Sequence, residues 1–412
     1  MNESKRSTTT GVDLIAQFYQ QQTPFFFTTA NYSLLTSGNQ ASVNLALNDR
    51  ALFSTIQGVL AEAQAKGSEN PIIVGAIPFA VDAPMHLWVP ETVNWGKPLP
   101  EVSKNTAGDV NQSNNITSSN SNGYAIQQTP LPETYMQGVE SALQRFKHSE
   151  LSKVVLSRAL DISLPQQLDM SQLLHKLAQH NRAGYTFAVS LPVDTQQQNS
   201  HCKTLVGASP ELLINKQGTA IRTNPLAGSA ARSADHHEDQ QRAHALLDST
   251  KDQHEHALVI ESVNSALKPF CKNLSVPNQP SLIHTETLWH LSTDISGELV
   301  NPATTVLELA SALHPTPAVC GFPASHARDA IAEIEPFDRG FFTGMVGWMD
   351  SQGNGEWVVT IRCAEVEALR LRLFAGAGVV SGSIPQHELM ETATKFKTML
   401  NAVGLTDVAE VA

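Results

Sequence analysis

The chain has 412 residues, of which 41% are hydrophobic and 16% charged. That is enough apolar material for a large core, in one big or two ordinary domains, and too little charge for a disordered chain. A net charge of −12 excludes sequence-independent binding to nucleic acid, which needs a basic face, and means that any anionic substrate must be met by local cations or a metal.

The segment after Met1 is polar through a threonine run and lacks the apolar core of a signal peptide. No uninterrupted apolar run reaches the roughly 20 residues that span a bilayer. Cys202, Cys271, Cys320 and Cys363 show no paired spacing. Neither a disulfide framework nor a zinc knuckle is expected, and a reducing cytoplasm fits.

In chain order, Phe25 to Thr29 and Pro71 to Phe79 read as strands bounded by turn residues, with helical spacing between Ala51 and Ala65. From about 102 to 129 the chain is rich in Asn, Ser, Thr and Gly. Such a segment buries too little surface to offset its ordering entropy, so it reads as a flexible surface insertion. It separates an N-terminal part, 1–130, from a larger region, 131–412, within what reads as one structural domain. A helix follows near Tyr135 to His148, with Val139, Ala142, Leu143 and Phe146 on one face. Strand-like runs then dominate: Lys153 to Leu160, Tyr185 to Leu191, a hairpin around Asn215 to Gly218, and a meander of Met345 to Met349, Trp357 to Val366 and Leu369 to Phe374. Hairpins beside long helices, without regular strand–helix alternation, predict a mixed α/β (α+β) fold with large antiparallel sheets flanked by helices.

The last helix is easy to place. Ser383 is a candidate cap, Gln386 completes a capping-box pattern, Pro385 suits the first turn and Gly404 the stop. Leu389, Ala393, Phe396, Leu400 and Val403 form its apolar stripe. Opposite them Glu388, Glu391 and Lys395 share a face. A second helix starts near Lys251, where Asp252 and Glu255 are aligned. Two acidic faces brought together offer oxygen ligands for a hard divalent ion, although each alone reads as a solvated helix face.

Other signals are weaker. His254 and His256, two apart on a helix, point to different sides and do not make the zinc-hydrolase pattern, so both read as surface or packing histidines. Gly376 to Gly382 lacks the spacing of a dinucleotide loop and reads as a tight turn able to approach a substrate anion. Lys153 alone reads as a gatekeeping lysine on a sheet edge, and Glu211 as an exposed residue after a turn. Arg362 lies inside an apolar run, where an unpaired guanidinium is costly, so a carboxylate from protein or substrate is expected beside it.

Taken together these segments resemble the chorismate-utilising family, which includes the isochorismate, salicylate, anthranilate and aminodeoxychorismate synthases. The resemblance runs from about Lys153 to Leu405. It is carried by Lys153 to Arg158, Gly207 to Glu211, Pro225 to Ser229, Glu255-His256, Leu288 to Leu291, His314 to Pro317, Glu335 to Arg339, Gly355 to Arg362, Phe374 to Gly378 and Glu388 to Lys395. Within the family the chain is most similar to the isochorismate synthases of catecholate siderophore pathways of the enterobactin kind, down to Gly75 to Phe79.

The resemblance implies a magnesium-dependent isomerase that turns chorismate into isochorismate, with the chorismate-binding fold. It implies Glu255 and Glu391 as magnesium ligands, with Asp252 and Glu388 one shell out. Arg362, Gly228, Ser229, Gly376 and Lys395 would cradle the substrate, and His290 and Ala318 would line the pocket. Lys153 is similar to the family's general base, which activates water for attack at ring carbon C2. Glu211 is similar to the general acid, which protonates the departing C4 hydroxyl. At neutral pH an unperturbed lysine costs roughly 4–5 kcal/mol to deprotonate and a glutamate roughly 3–4 kcal/mol to protonate. A partly desolvated pocket shifts both in the needed direction.

Departures from the pattern sort the relatives. Aminodeoxychorismate synthases carry lysine where this chain has Ala227, and anthranilate synthases typically carry glutamine at the Lys153 position. The tryptophan-sensing Leu-Leu-Glu-Ser motif is Leu34-Leu35-Thr36-Ser37 here, so no glutaminase partner is expected. Salicylate synthases share Lys153 and Glu211 but favour threonine at Ala318, and remain the alternative beside a menaquinone-pathway isochorismate synthase. A silent chorismate sensor would have lost the base or the acid. The resemblance also implies a monomer.

Overall fold

The computed structural model describes residues 9–100, 124–192, 202–406 and 408. All pairings between its strands are antiparallel, in sheets of ten, nine and three strands. The mixed fold with large antiparallel sheets is as read from the sequence.

The near-continuous apolar strands explain the layering, because side chains alternate between the two faces of a strand. In Phe25–Thr28, Phe25 and Phe27 enter a cluster between the two large sheets, together with Trp88, Phe187, Val346 and Val358. Phe26 points the other way, onto the helices Gly11–Gln17, Met170–His180 and Pro385–Val403. In the nine-stranded sheet Val74 and Val358 face the same inter-sheet cluster. Ile73, Trp357 and Val359 instead meet the helices Leu52–Ala65, Thr250–Leu267 and Val306–Leu313. Helices therefore cover the outer face of each large sheet. The N-terminal strands contribute to both sheets.

The ten-stranded sheet is built on two long strands, Lys153–Ser163 and Arg370–Val380, paired from Lys153 against Val380 to Ser163 against Arg370. Val154, Leu156 and Val379 face the helices Pro132–Arg145 and Ala324–Ile334. Lys153, Val155 and Ser157, with their cross-strand partners Gly378 and Gly376, share the opposite face. That face becomes one wall of the site.

Several expectations need correction. Most of the Asn/Ser-rich insertion lies outside the described residues; its end, Ala125–Thr129, is a strand paired with Lys153–Ser163. The run Trp357 to Val366 is not one strand. Gly355–Val359 belongs to the nine-stranded sheet and Cys363–Glu367 to the ten-stranded one. The chain crosses between them at Thr360 to Arg362, where Arg362 takes φ +50°, a left-handed conformation that breaks the pleat. Gly376 to Gly378 make no turn, because they sit inside the strand Arg370–Val380. The cap of the last helix is Ile384, and Ser383 instead accepts a hydrogen bond from the Val380 N–H at 3.1 Å. Pro385 in the first turn and Gly404 at the stop, with φ +81°, are as expected. All four cysteines are free. Among the described residues, no helix is long and apolar enough to cross a membrane.

Candidate active site

A cleft with about 620 Å³ of empty space, part of it open to solvent, lies where the Lys153 and Arg370 strands meet the three-stranded sheet, the helices Thr250–Leu267 and Pro385–Val403, and the Thr360 to Arg362 crossing. Glu211, Gly228, Ser229, Glu255, His290, Ala318, Arg362, Gly376, Glu391 and Lys395 all line it. Lys153, Asp252 and Glu388 do not reach the wall. Lys153 touches Glu255, and Asp252 lies against Gly228, both on the wall.

The Thr250–Leu267 helix is set by local chemistry at its start. The Ser249 side chain accepts from the Asp252 N–H at 3.2 Å, which caps the helix and fixes Asp252 and Glu255 one turn apart on one face. His256 then pins the helix to the three-stranded sheet. Its Nδ1 lies 3.2 Å from the Ala227 carbonyl and its Nε2 2.7 Å from the Thr293 hydroxyl. A carbonyl only accepts, so Nδ1 carries the hydrogen and Nε2 accepts from Thr293. Burial pushes this imidazole down to about 4, so it stays neutral. The packing role read from the sequence holds for His256.

Glu255 lies against the backbone of Gly378. A Cβ on Gly378 would sit 2.1 Å from Glu255 Oε1, so only glycine leaves room for the carboxylate. A Cβ on Gly376 would come within 2.7 Å of the Ser157 hydroxyl. These glycines are spacers within a strand.

Three lysines hold three of the carboxylates. Lys153, with no exposed surface, has Glu255 Oε1 at 2.9 Å from its Nζ, an ion pair not aligned for a hydrogen bond. The gatekeeping-edge reading of Lys153 is therefore wrong. Lys251 pairs with Glu388 at 2.6 Å, and Lys395 with Glu391 at 2.6 Å. Lys395 Nζ also donates to the Gly376 carbonyl at 2.7 Å, and Ser229 donates to Glu391 at 3.0 Å. Glu388 is fully buried, not solvated as its helix face alone implied. Lys251 was missed in the sequence, since it sits beside Asp252 rather than at a helical interval from it.

The titration directions follow from this packing. Burial, reinforced by the Glu391 charge, pushes Glu388 up. Burial also opposes the Glu391 charge, but Lys395, Lys251 and Ser229 together hold Glu391 below the usual range. Burial pushes Asp252 up, with Ser249 and Lys251 opposing and Glu255 and Glu391 assisting. Glu388 Oε2 is buried without a hydrogen-bond partner. An orphaned oxygen, mutually repelling carboxylates and an oxygen-only donor set fit a hard divalent cation. Among the described residues no three such groups already stand close enough to ligate one ion; the lysines hold them apart.

The same cavity holds a buried cation. Arg362 is buried, and burial lowers its guanidinium to about 10, which leaves it charged at neutral pH. Its Nη2 donates to His290 Nε2 at 3.3 Å, and its Nε has no partner. Among the described residues no protein carboxylate pairs with it, which leaves the expected carboxylate to a ligand. Burial first, then the charges of Arg362 and Lys395, hold His290 well below its usual value against the opposing hydrogen bond to the Gly228 carbonyl. It is a neutral acceptor for Arg362. Gly228 has φ +81° and lies against Asp252, where a Cβ would meet Asp252 Cβ at 3.0 Å.

Glu211 is only 3% exposed, which overturns its reading as an exposed turn residue. Burial pushes its carboxyl up to about 7, opposed by the Leu226 N–H and by the charges of Lys153, Arg362 and Lys395. A carboxyl near half-protonation at neutral pH is suited to proton donation. The site thus joins a proton-bearing carboxyl, an unpaired guanidinium and a carboxylate cluster.

Residues 83–404 match the family model described as chorismate binding enzyme. Isochorismate synthase DhbC of Bacillus subtilis is 49% identical over 397 residues, covering 95% of this chain and 96% of that protein. The chain belongs to the chorismate-binding enzyme family. The vibriobactin-specific isochorismate synthase of Vibrio cholerae is 45% identical, with 93% of this chain and 92% of that protein covered. A crystal structure assigned as the 2,3-dihydroxybenzoate-specific isochorismate synthase DhbC of Bacillus anthracis superposes with a TM-score of 0.88 at 46% identity, over 96% of this chain and all of that one. The chorismate-binding fold expected from the sequence is the fold observed.

Proposed function

We propose that this chain is an isochorismate synthase, an isomerase that adds water at C2 of chorismate and expels the C4 hydroxyl. The observation that carries the reading is the buried Glu211, its carboxyl pushed up to about 7, sharing one cavity with Arg362, whose Nε has no partner. High identity to DhbC supports a place in the making of 2,3-dihydroxybenzoate for a catecholate siderophore. We place the enzyme in the cytoplasm as a monomer without a glutaminase subunit.

Chorismate carries two carboxylates. Arg362 takes the enolpyruvyl carboxylate, its Nε being without a partner and so able to bond a planar anion. Ser229, Lys395 and the backbone at Gly228 and Gly376 face the rest of the molecule. Glu255 and Glu391 would hold a magnesium ion, with Asp252 and Glu388 behind them. When bound, such an ion supplies the positive charge that a ring carboxylate needs beside acidic residues.

Glu211 donates its proton to the departing C4 hydroxyl, which leaves as water. Lys153 removes the proton from the water that attacks C2. A lysine takes a proton from water only as the neutral amine, so Lys153 gives up its own proton to solvent, and with it the 2.9 Å ion pair to Glu255, before the attack. Glu255 thereby serves both the base and the metal position.

The test is direct. Purified protein given chorismate and magnesium should accumulate isochorismate, followed by proton NMR and a pyruvate assay. Excess chelator should stop turnover, and added magnesium should restore it. Prompt salicylate with stoichiometric pyruvate would move the chain to the salicylate synthases, and undiminished turnover in chelator would remove the carboxylate–metal assignment.

A further inference from the structure

The Glu335 to Arg339 segment has no place in the chemistry above. Neither residue lines the cavity. Both are nonetheless buried, their side chains 3% and 2% exposed, and they pair at 2.5 Å. A buried ion pair is by itself weak ground for a stability role. Its contacts indicate another one.

All five guanidinium N–H donors of Arg339 are used. Nε donates to Glu335 Oε2 at 2.8 Å and Nη2 to Glu335 Oε1 at 2.5 Å. Nη1 reaches the Val319 carbonyl at 2.8 Å and the Thr343 hydroxyl at 3.3 Å. Nη2 also reaches the Val155 carbonyl at 2.7 Å, while Glu335 Oε1 accepts from the Ser157 N–H at 2.7 Å. Val155, Val319 and Thr343 are all part of the cavity wall.

The contact with the Lys153 strand fills a gap. On that edge, Gly321–Phe322 pairs with Val154 and Lys153, and Ala125–Thr129 pairs only from Ala159 onward. Between them, among the described residues, no strand covers the Val155 carbonyl or the Ser157 N–H. Arg339 and Glu335 supply the donor and acceptor that a neighbouring strand would have given.

We infer that Arg339 and Glu335 are positioning residues for catalysis: they replace the missing strand and so fix the Lys153 strand against the Val319 and Thr343 walls. The inference rests on the reading of this cavity as the site of chorismate hydration. Among the described residues, Arg362 and Ser229, which would hold the substrate, bond to other groups than this pair, so binding and turnover should separate.

The experiment compares Arg339→Lys and Glu335→Gln with wild type. Lysine keeps the charge but cannot bridge three segments from one planar fork. Glutamine keeps the shape and loses the charge. With kcat counted per folded molecule, from circular dichroism well below each melting midpoint, both variants should lose at least about tenfold in kcat while KM for chorismate moves less than about threefold. A kcat within about twofold of wild type, or a loss carried by KM, would overturn the inference. If Arg339→Lys does not fold, Glu335→Gln decides alone. Wild type assayed in parallel tests the hydration reading separately, since its failure would be a failure to make isochorismate at all.

Discussion

Replacing Lys153 with methionine is expected to lower kcat by about a thousandfold, within the range that a positioned general base contributes. Chorismate binding should persist, because Arg362, Ser229 and Lys395 are untouched. Calorimetric titration of the variant with chorismate, beside its steady-state kinetics, separates the two effects. The substitution also costs stability. Glu255, 7% exposed, loses the ammonium at 2.9 Å from its carboxylate, and breaking a buried pair on one side typically costs about 3–5 kcal/mol. Melting must therefore be followed alongside activity. A Lys153→Met enzyme that folds and retains more than about a hundredth of wild-type turnover would exclude Lys153 as the base, since such groups contribute at least about a hundredfold.

Glu211→Gln tests the acid, and its signature is a pH profile. The carboxyl is raised to about 7 by burial, and it must be protonated to donate. Wild-type kcat/KM should therefore fall as pH rises through about 7, and the glutamine variant should lose roughly a thousandfold in kcat/KM at low pH and show no such limb. Stability moves the other way. Glu211's folded pKa lies above its ordinary 4.5, so its contribution is complete below the unfolded value and is lost as pH rises through the folded one. The loss is about 3 kcal/mol by pH 8. Glutamine is neutral throughout, so Glu211→Gln should melt higher than wild type above pH 7 and similarly near pH 4. Equal melting shifts at both pH values would contradict the buried-carboxyl account.

What could be read from the sequence divides along a physical line. Short apolar runs such as Phe25 to Thr28 and Tyr185 to Leu191 gave their strands closely, because an apolar run between turn residues is a local signal. Residues that gather in the cavity were named through family motifs, not through spacing, and the structure brings most of them to one wall. The failures are tertiary. Thr360 to Arg362 looked like continuous strand, since the left-handed turn at Arg362 is imposed by the passage between two sheets. Gly376 and Gly378 looked like a turn because glycine marks both flexibility and vacancy. Here the need is vacancy for Glu255, a residue far away in the chain. Glu388 and Lys153 looked solvated for a similar reason: only the facing elements bury them, and each is neutralised by a partner from another segment.

The central claim is that solvent water, handled by Lys153, supplies the new ring oxygen while Glu211 dismisses the old one. Turnover in water enriched in heavy oxygen, read by mass spectrometry of the product, tests it most directly. Isochorismate bearing one heavy atom at the C2 hydroxyl, with no matching pyruvate, is the predicted result. Unlabelled isochorismate would mean that the C4 oxygen migrates within the substrate, and the assigned base and acid would then have no water to activate and none to release.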